Sequence, residues 1–119
     1  MKKEFNNRCE VVLNLLSGKW KAHILYFLTK GPARTSELKR LVTGISQKML
    51  TEQLKELERD GLVARKVFNQ IPPKVEYSLT EHGSSLTKVL GEIVEWTENY
   101  VEQRHPDGEV VFHDNDDGL

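Results

Sequence analysis

A single cysteine, Cys9, stands in 119 residues, so no internal disulfide framework can brace this chain, and no Cys/Cys or Cys/His spacing offers a zinc site. His23, His82, His105 and His113 are scattered, with neither metal-ligand spacing nor a nucleophile and base pair, and read as surface or partly packed side chains. A phosphate-binding loop is missing too: Ser17-Gly18-Lys19 has Leu13 where the first glycine is needed and no Ser or Thr after Lys19. These absences exclude the common enzyme classes and predict a protein without metal or cofactor. No stretch approaches the ~20 apolar residues of a membrane span, and the N-terminus lacks the apolar segment of a secretion signal. The expectation is a cytoplasmic protein with no membrane partner.

What is present is charge, and it is divided. The net charge is −1. Residues 1–80 nevertheless hold 15 Lys and Arg against 8 Asp and Glu, a net of +7, whereas residues 81–119 hold 2 against 10, a net of −8. The near-neutral total hides a basic unit of the kind that neutralises phosphates. The acidic end, with Asp114, Asp116 and Asp117, reads as a solubilising disordered tail, the alternative being a tail that competes with DNA for the basic surface. The length suits one domain, and the expected division is a folded domain over 1–104 and the tail over 105–119.

The most informative segment runs from Ile45 to Gly61. Ser46 is a candidate N-cap, Ile45 and Leu50 take the positions of a hydrophobic staple, and Gly61 follows the last turn where a left-handed residue is wanted. Leu50, Leu54 and Leu57 at i, i+4 and i+7 form one narrow apolar stripe. Lys48, Thr51, Lys55 and Arg59 then face outward, with Gln47 at the start. Such side chains suit phosphate oxygens and base edges, although the segment alone is equally compatible with a solvated surface helix.

Its neighbours decide between these readings. Two short strands, 62–68 and 75–79, flank Asn69-Gln70-Ile71-Pro72-Pro73-Lys74, a stiff link too long for a tight turn. Arg65, Lys66 and Lys74 lie at its base. A helix followed by a basic hairpin is the signature of a winged helix-turn-helix, in which the hairpin loop reaches the DNA backbone or minor groove. Upstream, Thr35 is a candidate cap for a helix over 36–42, broken by Thr43-Gly44 before the next helix. Further back lie helices over 20–29, stopped by Gly31-Pro32, and over 8–16, with Cys9, Val12, Leu13 and Leu16 on one stripe. Beyond the hairpin, Thr80 caps a long helix to about Arg104 whose apolar positions are Leu86, Val89, Leu90, Ile93, Trp96 and Tyr100. The expected fold is mainly α with a small β-hairpin wing, in the order ααααββα.

Gly18-Lys19-Trp20 with Ile24-Leu25, Gly31-Pro32-Ala33-Arg34, Glu37-Leu38, Gly44 to Thr51, Leu54 to Leu57, Asp60 to Val63 and Pro72 to Thr80, with Gly83 and Trp96 beyond, resemble the HxlR-type transcriptional regulators. The similarity spans about Cys9 to Trp96. It implies a dimeric winged-helix DNA-binding protein whose helix at Ser46 is the recognition helix and whose first and last helices form the dimer interface. Val12, Leu16, Leu86, Val89, Leu90, Ile93, Trp96 and Tyr100 are the residues expected there. Some relatives of this family use an N-terminal cysteine to sense oxidants or electrophiles, which makes Cys9 a candidate redox sensor; the alternative is a thiol packed as a small hydrophobe. Glu10 and Thr35 depart from the family pattern, which has proline and an aromatic there.

The functional expectation is a homodimer that regulates transcription, as a repressor, by binding an inverted repeat in double-stranded DNA. Ser46, Gln47, Lys48, Thr51 and Lys55 form its recognition surface, and Arg34, Arg65, Lys66 and Lys74 hold phosphates or the groove edge. The competing expectation is a winged-helix module that binds protein rather than DNA. Trp20, Trp96 and Tyr100 are candidates for a small-molecule effector site between dimer helices, with core packing as the alternative.

Overall fold

The computed structural model describes residues 2–113, with the elements α1 (Cys9–Leu15), α2 (Lys21–Leu28), α3 (Thr35–Leu41), α4 (Gln47–Arg59), β1 (Val63–Phe68), β2 (Lys74–Leu79) and α5 (Glu81–Arg104). The expected order ααααββα is the one observed, and Asp114, Asp116 and Asp117 of the acidic tail lie outside the described residues. Residues 105–113 add no further helix or strand.

The core forms where the apolar stripes of α2, α3 and α4 converge. Ile24, Leu25, Leu38, Val42, Leu50, Leu54 and Leu57 are fully buried there, joined by Leu62, Val63 and Tyr77 from the hairpin side and Leu90 from α5. At ~1.5–3 kcal/mol for each fully buried large apolar side chain, the three leucines of α4 are a principal attachment of that helix to the domain. Trp20, Met49, Leu79 and Leu86 pack around this centre.

β1 and β2 form a two-stranded antiparallel sheet with Val63 opposite Leu79 and Phe68 opposite Lys74. The connection is therefore residues 69–73, one residue shorter than expected, because Lys74 opens the second strand. A third line of pairing has no counterpart in the sequence pattern. Ala33 makes an isolated bridge to Tyr77, its N–H donating to the Tyr77 carbonyl at 2.9 Å and its carbonyl accepting from the Tyr77 N–H at 2.8 Å.

That bridge resets the start of α3. With Ala33 pinned to β2, Arg34 is extended (ψ 160°) and is the N-cap residue, and the helix begins at Thr35, which is therefore not the cap. Glu37 reaches back to accept the Arg34 N–H at 3.2 Å. Similarly, α2 begins at Lys21, with Trp20 as its cap residue.

The two ends of α5's entry are joined tightly. α4 ends in a full Schellman turn: the Gly61 N–H donates to the Glu58 carbonyl and the Leu62 N–H to the Leu57 carbonyl, both at 3.0 Å, with Gly61 at φ +77°. Thr80 clasps this turn to α5. Its hydroxyl donates to the Gly61 carbonyl at 2.5 Å and accepts from the Gly83 N–H at 3.1 Å, while its own N–H donates to the Leu62 carbonyl at 3.1 Å.

Candidate nucleic-acid interface

Ser46 caps α4 as expected, its Oγ accepting the Met49 N–H at 3.0 Å, with Ile45 and Leu50 both buried behind the cap. The helix is thereby rotated so that Leu50, Leu54 and Leu57 face the core and Gln47, Lys48, Glu52, Lys55, Glu58 and Arg59 are exposed. Thr51 is half-buried, and its hydroxyl donates to the Gln47 carbonyl at 3.0 Å while its Oγ1 accepts from the Gln47 side-chain amide at 3.4 Å. Gln47 and Thr51 thus hold one another at the N-terminal end of the exposed face. Glu52 is an acid amid these donors, which a reading weighted toward the basic residues passes over.

The hairpin sorts the basic wing residues onto two faces, because successive strand residues point to opposite sides. Lys66 and Lys74 share a face with Phe68 and Glu76, whereas Arg65 is on the side of Val63 and Tyr77. The three basic groups are therefore not one cluster. At the loop, Ile71 is fully exposed. Arg34 is exposed beside the Ala33 bridge, so its backbone is tied to the hairpin that carries Lys66 and Lys74.

One ion pair behind the exposed face of α4 has no sequence signature. Lys21 is only 2% exposed, yet its ammonium donates to Glu56 Oε1 at 2.8 Å. This ties the first turn of α2 to α4. The hydrogen bond from Lys21, with the positive charges of Lys21 and Arg59, holds the Glu56 carboxyl below the usual glutamate value against the opposing effect of partial burial. A lysine whose partner lies 35 residues away in sequence gives no periodic signal.

The residues expected at a dimer interface divide. Leu90 is part of the protomer's own core and Leu86 packs against it, because the helix turns these positions inward. Val89, Ile93, Trp96 and Tyr100 are exposed, and the Trp96 and Tyr100 rings stack at 5.0 Å with planes 13° apart. On α1, Val12 and Leu16 are half-buried while Leu13 is exposed. Cys9 is exposed as well and is not packed within the protomer's own core. Trp20 is partly buried and packs on the core. A mainly apolar groove of about 630 Å³ runs between α1 and α5, past Val11, Val12, Leu15, Leu62, Leu86 and Val89. Among the described residues no group of three or more His, Cys, Asp or Glu could hold a metal ion, and no helix is long and apolar enough to cross a membrane.

Comparison with known proteins places this geometry. The family model described as HxlR-like helix-turn-helix matches residues 15–105. The HTH-type transcriptional regulator YkvN of Bacillus subtilis is 53% identical over 107 residues, covering 90% of this chain and 91% of the relative. Among solved structures, the HTH-type transcriptional regulator YtcD superposes with a TM-score of 0.77 at 52% identity, over 81% of this chain and 98% of that one. The oxidised form of the redox regulator HypR does so with a TM-score of 0.73 at 45% identity, over 78% and 96%.

Proposed function

This chain belongs to the HxlR-like helix-turn-helix family and is a transcriptional regulator rather than an enzyme; from that premise we propose that it is a homodimeric repressor that binds an inverted repeat in duplex DNA. The observation that carries the reading is the orientation of α4. Its capped start and buried leucine stripe leave Gln47, Lys48 and Lys55 in solvent with Thr51 beside them. Gln47, Lys48 and Thr51 read base edges in the major groove, with Ser46 and Lys55 on the flanking backbone. Arg34, Lys66 and Lys74 hold phosphates, and Arg65 contacts the groove edge from the other face of the wing. Two copies paired through α1 and α5, with Val89, Ile93, Trp96 and Tyr100 covered, place their α4 helices ~34–36 Å apart, one turn of the duplex. The folded unit is 1–104, and the acidic end beyond it is a solubilising tail.

Cys9 supplies a candidate regulatory input. It is exposed in the first turn of α1, and relatives of known structure include a redox regulator in its oxidised and reduced forms. Two Cys9 thiols, one per protomer, would lose two protons and pass two electrons to a peroxide-class or hypohalite-class oxidant, forming a disulfide between subunits. A Cys9→Ser variant that still releases DNA on oxidation removes the thiol from the mechanism.

The test of DNA binding is a salt titration on the promoter region of its own gene. Lys66→Ala should weaken binding to all sequences alike and reduce the salt slope by about one, whereas Lys48→Ala should blunt discrimination between sequences. Wild-type protein that shows no salt-dependent affinity for any duplex, while holding a protein partner, would establish the protein-binding module instead.

A further inference from the structure

The face of the hairpin that carries Lys66 and Lys74 is organised around one aromatic ring. Lys66 precedes Phe68 by two residues on β1, and Lys74 is the cross-strand partner of Phe68 on β2. The Lys66 ammonium is 4.8 Å from the Phe68 ring centroid and the Lys74 ammonium 4.7 Å from the same centroid. Both are inside the range at which a cation is attracted by the ring quadrupole. Lys74 Nζ also pairs with Glu76 at 3.0 Å, and Glu76 stands opposite Lys66 in the register. Phe68 itself is half-buried, so the ring has a fixed seat from which to act on two otherwise long and mobile side chains.

We propose that Phe68 is a positioning residue for nucleic-acid binding, holding the ammonium groups of Lys66 and Lys74 as a pre-ordered pair that receives neighbouring backbone phosphates. The proposal rests on the DNA-binding reading given above. Two cations tied to one centroid lie within roughly 10 Å of each other, a separation that spans adjacent phosphates of a duplex whose strands rise ~3.4 Å per nucleotide. A lysine on an open strand loses most of its rotamer freedom when it settles on a phosphate. A lysine already drawn to a ring has lost part of that freedom beforehand, and its ammonium has three donors, so it can keep the ring on one side and take a phosphate on the other. Glu76 completes the device. It occupies one donor of Lys74 in the free protein and gives it up to the more highly charged duplex.

The experiment measures affinity for a mixed-sequence duplex of about 30 base pairs by fluorescence anisotropy at about 0.1 M salt, where phosphate contacts dominate. Phe68→Leu keeps an apolar side chain and removes the ring, whereas Phe68→Tyr keeps the ring. Each is made in the wild-type chain and in a Lys66→Ala/Lys74→Ala background. Phe68→Leu should weaken binding roughly three- to tenfold, and Phe68→Tyr should stay within about twofold of wild type. In the background without the two lysines, Phe68→Leu should have no further effect. The proposal is overturned if Phe68→Leu binds as wild type does, or if its loss is equally large without the lysines, the result expected of a residue that only supports the hairpin fold. Wild-type protein without affinity for the duplex would instead overturn the DNA-binding reading together with this one.

Discussion

Replacing Gly83 by alanine is the most direct probe of the junction between α4 and α5. A Cβ on this residue would lie 2.0 Å from the Leu62 carbonyl oxygen, 3.1 Å from its carbon and 3.2 Å from Leu79 Cδ2. Ordinary carbon–oxygen approach is about 3.3 Å, so the first turn of α5 and the turn after α4 must separate by more than ~1 Å. Overpacking of this kind costs ~1–3 kcal/mol, and more where the obstacle is backbone rather than a side chain that can swing aside. Separation also strains the Thr80 N–H bond to the Leu62 carbonyl and the Thr80 hydroxyl bond to Gly61, each worth ~0.5–1.5 kcal/mol. Alanine's better helix propensity returns ~1 kcal/mol. The net expectation is a loss of about 2–4 kcal/mol, a large part of the ~5–15 kcal/mol that a domain has. At about 4 °C or more per kcal/mol for a chain of this size, the thermal midpoint should fall by at least ~8 °C. The assay is far-UV circular dichroism melting at one fixed protein concentration, with exposed Ser84→Ala as the control. A Gly83→Ala midpoint within about 3 °C of wild type would refute the close approach of α5 to Leu62.

The ion pair between Lys21 and Glu56 makes an asymmetric prediction. Glu56→Ala strands a buried ammonium and should cost ~1–3 kcal/mol in urea unfolding, less than the ~3–5 kcal/mol of a fully buried pair because Glu56 is 37% exposed. Lys21→Met fills the same space without a charge and should be nearly neutral; equal losses for the two variants would contradict the pairing. Because Glu56 is held ionised in the fold, its share of stability is complete above pH ~4.5 and disappears as the pH falls through its lowered folded value. Glu56→Gln should therefore flatten the acid limb of a stability–pH curve, and an unchanged limb would contradict the depressed titration. Ser46→Ala removes the cap of α4 and should lower stability by about 1 kcal/mol, measured by urea unfolding. No change would mean that the bond to Met49 contributes nothing.

Features with a local period were legible in the chain before any coordinates. The Leu50, Leu54 and Leu57 stripe repeats with the helix, both ends of α4 carry the residue types that backbone geometry demands, and Val75, Tyr77 and Leu79 alternate as a half-buried strand does. What escaped is what two distant segments decide together. Thr35 is a better cap than Arg34 by residue type, yet the pairing of Ala33 with Tyr77 puts Arg34 in the extended position and Thr35 inside the helix. Lys21 looks like any surface lysine until Glu56 is brought beside it. Strand parity would have separated Arg65 from Lys66 and put Phe68 between two lysines, but Val67 and Arg65 blur the alternation of β1 because most of that strand is solvent-exposed on both sides. On α5 the apolar positions cover more than one face, so their spacing alone does not tell Leu90, which faces inward, from Ile93 and Trp96, which face out.

The Thr80 clasp has a mechanical consequence. A helix of 24 residues is a rod about 36 Å long. Its near end is bonded through one threonine to the turn that ends α4, with a glycine there only because nothing larger fits between them. Such a joint has no slack in which to absorb a tilt. In the homodimer proposed above, a slide or splay of the subunits along the far part of the rod would swing both α4 helices with it, gearing the distance between them to events at the opposite end of the molecule.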